Sequence, residues 1–265
     1  CTPRSLALGL SLAAMLAAPS AFAQSTEAKP AAKPETGVLE TITVTAERRQ
    51  ENIRDVPVSI STVSGEMLDI INSGGQDVRV LAGRVPSLNI ESSFGRAFPR
   101  FYLRGYGNTD FRLNASQPVS LVYDDVVQEN PILKGFPMFD LDQIEVLRGP
   151  QGTLFGRNSP AGVVKFDSAK PRQQFESYLN LSVAKYATNA LEGAVNVPLT
   201  KEVAMRFSVQ AQHRDNWATN TVAGPTKNYE GYDDNAARLQ FLYEPSAAFS
   251  ALFNVHARDL KGSAR

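Results

Sequence analysis

From residue 172 onward the chain alternates apolar and polar residues over long stretches, and this pattern constrains the fold most. Leu179, Leu181 and Val183 alternate with Asn180 and Ser182. Leu191, Val195, Val197 and Leu199 oppose Glu192, Ala194 and Asn196. Val203, Met205, Phe207, Val209 and Ala211 oppose Arg206, Ser208, Gln210 and Gln212. Ala237, Leu239, Phe241 and Tyr243 oppose Arg238 and Gln240, and Phe249, Ala251, Phe253, Val255 and Ala257 oppose Ser250, Asn254 and His256. A period of two is that of a β-strand. The pattern gives about five strands of the ~9–11 residues that a tilted strand needs to cross a bilayer. Tight turns at Pro198-Leu199-Thr200-Lys201 and Pro245-Ser246 contrast with a long polar loop from Asp215 to Asp233. The whole describes a transmembrane β-barrel with Glu192, Arg206 and Arg238 facing the lumen. A soluble β-sandwich shares the period, but charges recurring on one face while the other stays apolar through five strands disfavour it. So few strands cannot close, and open edges in lipid leave backbone groups unsatisfied. Most of the barrel is therefore expected outside this sequence, which also does not begin with Met.

Composition removes other classes. The 265 residues are 43% hydrophobic, which excludes a fully disordered chain. Lys and Arg number 27 and Asp and Glu 27, so no excess positive charge exists to hold a nucleic acid. A single Cys excludes a disulfide framework and a Cys-rich zinc site. His213 and His256 lie far apart, leaving no histidine cluster or triad. No metal, no cofactor and no enzymatic activity is expected.

The N-terminal segments read in order. Residues 5 to 23 carry no charge, follow Arg4 and end in Ala21-Phe22-Ala23 before Gln24. Residues 1–23 thus read as a secretory signal peptide; the continuous apolar core ends near Ala18, short of the ~20 residues of a spanning helix. Residues 24–38, rich in Ala, Lys, Pro and Glu, read as a flexible linker. Over residues 39–46, Ile42, Val44 and Ala46 alternate with Thr41, Thr43 and Thr45. This is a strand with no evident sheet of its own, suited to pairing with another protein's sheet edge. An ordinary edge strand of the next domain is the alternative reading.

Residues 47–171 mix elements in the manner of a small α+β domain. Strands are expected at Val56–Val63, Phe98–Leu103, Val119–Tyr123 and Ile144–Leu147. Helices are expected at Gly65–Asn72, behind Ser64 and before Gly74-Gly75, and at Val78–Val85 before Pro86. Gly152 and Gly156 lack the spacing of a phosphate loop, and Gly105-x-Gly107 lacks the third glycine of a dinucleotide site. Asp140, Asp142 and Glu145 lack a calcium-loop spacing and read as solvated turn carboxylates, as do Asp124-Asp125 and Asp233-Asp234. His256 is expected to face the lumen alone.

Three segments together resemble the TonB-dependent outer-membrane receptor family. Glu40, Thr41, Ile42, Thr43, Val44, Thr45 and Ala46 (ETITVTA) resemble its TonB box. Phe101 to Gly107 (FYLRGYG) resembles its Arg-Gly plug segment. Gln143 to Gly156 (QIEVLRGPQGTLFG), continued by Arg157 to Val164, resembles its most specific plug signature. The sequence departs at Val122 and Asp125, where Tyr and Gly are usual, at Ala161 for Gly, and at Lys165 where Asn is common.

The resemblance implies an α+β plug over residues 47–171 filling a transmembrane barrel that begins at residues 172–265 and totals ~22 strands. It implies that Arg104 and Arg148 lock the plug through barrel glutamates beyond residue 265. Gly105, Gly107, Gly149, Gly152 and Gly156 would form plug turns. The box would pair with the periplasmic protein TonB, which draws on the proton-motive force. The barrel would contact outer-membrane lipid of a Gram-negative bacterium. The cargo would be a ferric siderophore, or else vitamin B12 or an oligosaccharide, held by loops such as Phe94–Arg100 and Thr109–Asn114. Residues 24–39 leave no room for a signalling domain. A passive porin and a secreted β-sandwich carbohydrate-binding module are the competing readings.

Overall fold

The structure, a computed structural model, describes residues 42–45, 48–72, 77–110, 112, 114–222 and 228–263. The expected signal peptide and linker, Glu40, Thr41 and Ala46, and Gly74-Gly75 lie outside the described residues. All described residues belong to one compact unit, and two sheets dominate it.

The first part of the chain is mixed. In order it holds β1 (Thr43–Val44), β2 (Glu51–Asn52), β3 (Ser59–Ser64), α1 (Gly65–Asn72), β4 (Leu88–Glu91), β5 (Arg100–Leu103), β6 (Val119–Tyr123), β7 (Val126–Val127), β8 (Leu141–Arg148), α2 (Gly152–Phe155) and β9 (Gly162–Ser168). The main sheet runs β3-β8-β9-β6-β7, antiparallel except for the parallel pair β6 and β9. Alternation sorts its side chains between two faces. Ile144 and Val146 of β8 and Val164 and Phe166 of β9 pack with Leu68 and Ile71 of α1 in the larger core. Leu147 and Val163 point the other way, to a smaller cluster with Val44, Val56, Val122 and Phe155. Glu145, Lys165 and Asp167 share that second face by the same parity.

The expected α-helix at Val78–Val85 is instead a 3-10 turn over Val78–Gly83. The Asp77 carboxylate caps it, accepting from the Arg79 N–H at 2.9 Å, and Pro86 limits its length. Strand β9 was not foreseen, because its Gly162 and the preceding Gly-rich run read as loop.

The second part is a wall of β10 (Glu176–Ala184), β11 (Thr188–Pro198), β12 (Val203–Arg214), β15 (Tyr232–Ser246) and β16 (Phe249–Gly262), with a small hairpin, β13 (Ala218–Thr219) and β14 (Asn228–Tyr229), in the long loop. The five wall strands are antiparallel and paired in chain order. The expected faces hold. Leu179, Leu181 and Val183 are 63%, 70% and 84% exposed, whereas Ser208, Arg238 and Gln240 are buried against the mixed part. A soluble sandwich would cover its apolar face with a second sheet. Here the polar face is the covered one, which is the arrangement of a wall that meets lipid. Aromatic pairs stand near both ends: Tyr243 with Phe249 beside the short turn, Tyr186 with Trp217 beside the long loop.

Two local expectations are corrected. The turn falls at Ala247-Ala248 rather than Pro245-Ser246, because β15 continues through a bulge between Tyr243 and Ser246. A proline lacks a ladder N–H and is tolerated there. Asp233 and Asp234 lie inside β15, opposite His213 and Gln212, rather than in a loop.

Gly162 carries φ +149° where β9 begins, and a Cβ there would lie 2.2 Å from the Leu147 carbonyl oxygen. Gly162→Ala is expected to cost roughly 2–3 kcal/mol, through overpacking and backbone strain together. Denaturant unfolding of the full-length protein, followed by proteolysis within residues 141–168, would read that loss.

Candidate functional site

The seam between the mixed part and the wall is built on Asp140, the residue before β8. Its φ is +49°, and its side chain is 1% exposed. One carboxylate oxygen accepts from Arg206 Nε at 2.9 Å and Arg238 Nη2 at 3.0 Å; the Ser208 hydroxyl also donates to it. The Asp140 N–H donates to Glu192 Oε1 at 2.8 Å, which also accepts from the Tyr178 hydroxyl at 2.9 Å. Arg238 reaches back to the Asp140 carbonyl and to the Tyr123 hydroxyl, both at 2.6 Å. Burial alone would raise the Asp140 pKa. Arg206, Arg238 and Ser208 outweigh it, and the carboxyl is held below its ordinary range.

A second contact has the opposite polarity. Arg96 of the mixed part meets wall residues Asp234 at 2.8 Å and Gln212 at 2.6 Å. Asp234 also takes Arg258 at 2.7 Å. In a third contact, the Ser168 hydroxyl donates to Asp124 at 2.7 Å, and Gln240 Nε2 and Asn254 Nδ2, each at 2.9 Å, donate to Ser168 and Asp124. His256 is not alone: its ring stands edge-on to Phe136 at 4.7 Å.

These findings correct several sequence expectations. Asp140, Glu145 and Asp234 are buried rather than solvated, and Asp124 is bonded across the seam. Among the described residues, the buried ion pairs joining the two parts use Asp140 and Arg96, while the glutamates expected to meet Arg104 and Arg148 lie beyond residue 265. Arg148 donates to Ser61 Oγ at 2.7 Å and to the Pro86 carbonyl at 2.9 Å. Burial and the neighbouring Arg104 charge lower its pKa. Arg104 is exposed with φ +52°. Among the described residues neither arginine has a carboxylate partner. Gly105, Gly149 and Gly156 sit at positive φ, as turns require. Gly152 opens α2, and Gly107 is not a turn glycine but lies against the Tyr102 ring, 1.9 Å from where a Cβ would be.

The described part of the expected lone strand does have a sheet partner. Thr43 and Val44 pair with Asn52 and Glu51, and Ile42 accepts from the Ile53 N–H at 3.0 Å. Val44 is fully buried, and the Thr45 N–H donates to Glu145 Oε1 at 2.6 Å.

At the end bearing the long loop, Phe94, Arg96, Arg79, Arg214, Trp217 and Tyr232 line a cleft of about 640 Å³. The Arg96 guanidinium stacks 3.7 Å above the Tyr232 ring. Of the expected loops, Phe94 to Ala97 contributes to this cleft, and the described residues of Thr109–Asn114 do not. Trp217 and the seam contacts of Asp140 and Arg96 escaped the sequence reading. One signal was available: Arg206 and Arg238 were placed facing inward, and buried arginines require a carboxylate.

Removing the Asp140 charge leaves two buried arginines short of their counter-ion, and Asp140→Asn is expected to cost about 3–5 kcal/mol. Because the folded pKa is lowered, the Asp140 contribution is complete above the ordinary carboxylate range and is lost as pH falls through the folded value. Unfolding midpoints measured against pH should therefore fall in acid for the parent. In Asp140→Asn they should be low at neutral pH and lack that component.

Comparisons with known proteins agree with this architecture. Residues 52–163 match the family described as TonB-dependent Receptor Plug Domain. The chain is 25% identical over 223 residues to the vitamin B12 transporter BtuB of Vibrio vulnificus, covering 81% of this chain and 34% of that protein. It is 26% identical over 176 residues to a ferric-pyoverdine receptor of Pseudomonas putida, covering 66% and 20%. The solved structure of the ferric yersiniabactin uptake receptor FyuA from Yersinia pestis shares the fold, with a TM-score of 0.68 at 22% identity over 77% of this chain and 32% of that one. The chain thus spans about a third or less of the length of the relatives it matches. Residues 52–163 therefore carry a plug domain, seated through a polar seam against the strands that follow, and the chain as a whole resembles TonB-dependent receptors of Gram-negative outer membranes.

Proposed function

We propose that this chain is the N-terminal part of an active importer of a ferric siderophore, driven by the proton-motive force through TonB. Residues 1–23 act as a signal peptide and residues 24–38 as a tether. Residues 40–46 are the segment that TonB captures by strand pairing, residues 47–171 the plug, and residues 172–265 the first strands of a ~22-stranded barrel.

The observation that carries this reading is the short ladder holding the box. Two residue pairs join β1 to β2, and isolated hairpins of that size are not stable in water. Such a segment can leave the plug and offer its backbone to another sheet edge. The outer membrane has no nucleotide energy source, so force must reach the plug along a chain of this kind.

For the cargo, the cleft under the long loop supports an anionic, aromatic-bearing chelate. Arg214 adds positive charge beside Arg79 and Arg96, which are paired with Asp77 and Asp234, and beside Glu230, while Phe94, Trp217 and Tyr232 give stacking surfaces. The pyoverdine and yersiniabactin receptors among its relatives point the same way, whereas the vitamin B12 transporter keeps a corrinoid as the second candidate. Arg104 and Arg148, which find no carboxylate among the described residues, are proposed to meet glutamates of later strands.

Deleting residues 40–46 from the full-length receptor should abolish energised uptake of labelled ferric siderophore while cell-surface binding persists. Unchanged uptake would favour a passive porin. Trp217→Ala should weaken surface binding by about tenfold, on the order of 1–2 kcal/mol for an aromatic anchor, with the ladder of the wall intact.

A further inference from the structure

The second face of the plug sheet is divided. Toward one end Leu147 and Val163 form an apolar socket that takes Val44. Toward the other, Glu145, Lys165 and Asp167 line up on the same parity, and Thr45 lies over them. Glu145 is fully buried and Lys165 nearly so. The Lys165 ammonium donates to the Thr45 hydroxyl and to Asp167, both at 2.6 Å, and lies 3.6 Å from Asp125. Glu145 Oε1 accepts from the Thr45 N–H at 2.6 Å, the Thr45 hydroxyl at 3.2 Å and Gln143 Nε2 at 2.9 Å. Its Oε2 has no hydrogen-bond partner among the described residues.

We propose that Lys165, with Glu145, is a positioning residue that latches the box to the plug through Thr45, so that this buried ammonium sets how readily the segment detaches. The inference rests on the reading of residues 40–46 as the segment TonB captures. The β1–β2 ladder is too short to hold the segment by itself. Docking then depends on the Val44 socket and the Thr45 contacts. The latter are charge-assisted, hence stronger than neutral hydrogen bonds. Lys165 contributes twice: it donates directly to Thr45, and its charge balances the Glu145 and Asp167 carboxylates. Without it two carboxylates face each other, and Glu145 holds its Thr45 contacts against that repulsion. When Thr45 leaves, Glu145 keeps only Gln143 as a donor, so the latch favours the docked state and reforms once the segment returns.

The test uses the full-length receptor in detergent, without TonB or ligand, and reads maleimide labelling of a cysteine placed in the socket. Val44→Cys reports undocking; Val163→Cys, in the same cluster but on β9, reports loss of the plug itself. Val44→Cys should label slowly in the parent and at least tenfold faster when combined with Lys165→Met or with Thr45→Val. Val163→Cys should stay slow throughout, and Lys165→Arg should restore slow labelling at position 44. Equal labelling of Val44→Cys in parent and variants would overturn the latch, as would rapid labelling in the parent. If Lys165→Met also exposes Val163→Cys, Thr45→Val decides, since it removes a single hydroxyl from the latch. Loss of uptake plays no part in this readout, so the latch and the importer reading fail separately.

Discussion

A carboxylate with almost no access to water sits where the plug meets its wall, and the geometry around it follows from the need to neutralise it. Burying an unpaired carboxylate costs several kcal/mol even after relaxation. Asp140 meets that demand with two arginines and a serine hydroxyl from the wall, each projecting from its lumen face. The companion contact reverses the signs, with Arg96 on the plug and Asp234 on the wall. A shift of the plug along the wall would bring unlike partners out of reach and like charges together. Buried pairs of this kind add little net stability over apolar packing, but they specify position. A seam lined by Gln240, Asn254 and Ser168 can also hydrate when it parts, which an apolar seam would resist.

The plug sheet divides labour between its faces. The larger core, with Leu68, Ile71, Leu121, Ile144 and Phe166, holds the sheet together. The smaller face is shared with the segment proposed as the box, whose Val44 completes the cluster. The structure therefore places one of its shortest ladders, two residue pairs long, over the face whose apolar cluster it helps to close. Pulling there removes a lid residue before it reaches the larger core. Glu145 is a buried acid on that face: burial raises its pKa, with Thr45 and Lys165 opposing.

Much of this was legible in the sequence because alternation is a local signal. The wall strands, their outward Leu179, Leu181 and Val183, and the inward Arg206 and Arg238 follow from period alone, and Val119–Tyr123 and Gly65–Asn72 form where the pattern puts them. What was not legible depends on contacts distant in sequence. Asp140 looked like a turn residue, and its partner Arg206 lies 66 positions away. Asp233 and Asp234 looked like loop residues because two adjacent acids are rare in strands, yet Arg96 and Arg258 hold Asp234 inside. Strand β9 hid in a glycine-rich stretch whose Gly162 is there to let the Leu147 carbonyl approach. Residues 42–45 were ambiguous for a physical reason: the same alternating residues serve as a weak edge strand and as a ready partner for another sheet.

Hydrogen–deuterium exchange across the folded full-length protein shows whether the seam fixes the plug, because it separates seam, sheet and box at single amides. Slow exchange is expected at the Asp140 amide, which donates to Glu192, and at the Ala169 amide, which donates to the Asp140 carbonyl. Exchange should be orders of magnitude faster at Thr43 and Val44. Equal rates at Asp140, Ala169, Thr43 and Val44 would contradict it, since a seam that opens as easily as the box cannot be what fixes the plug.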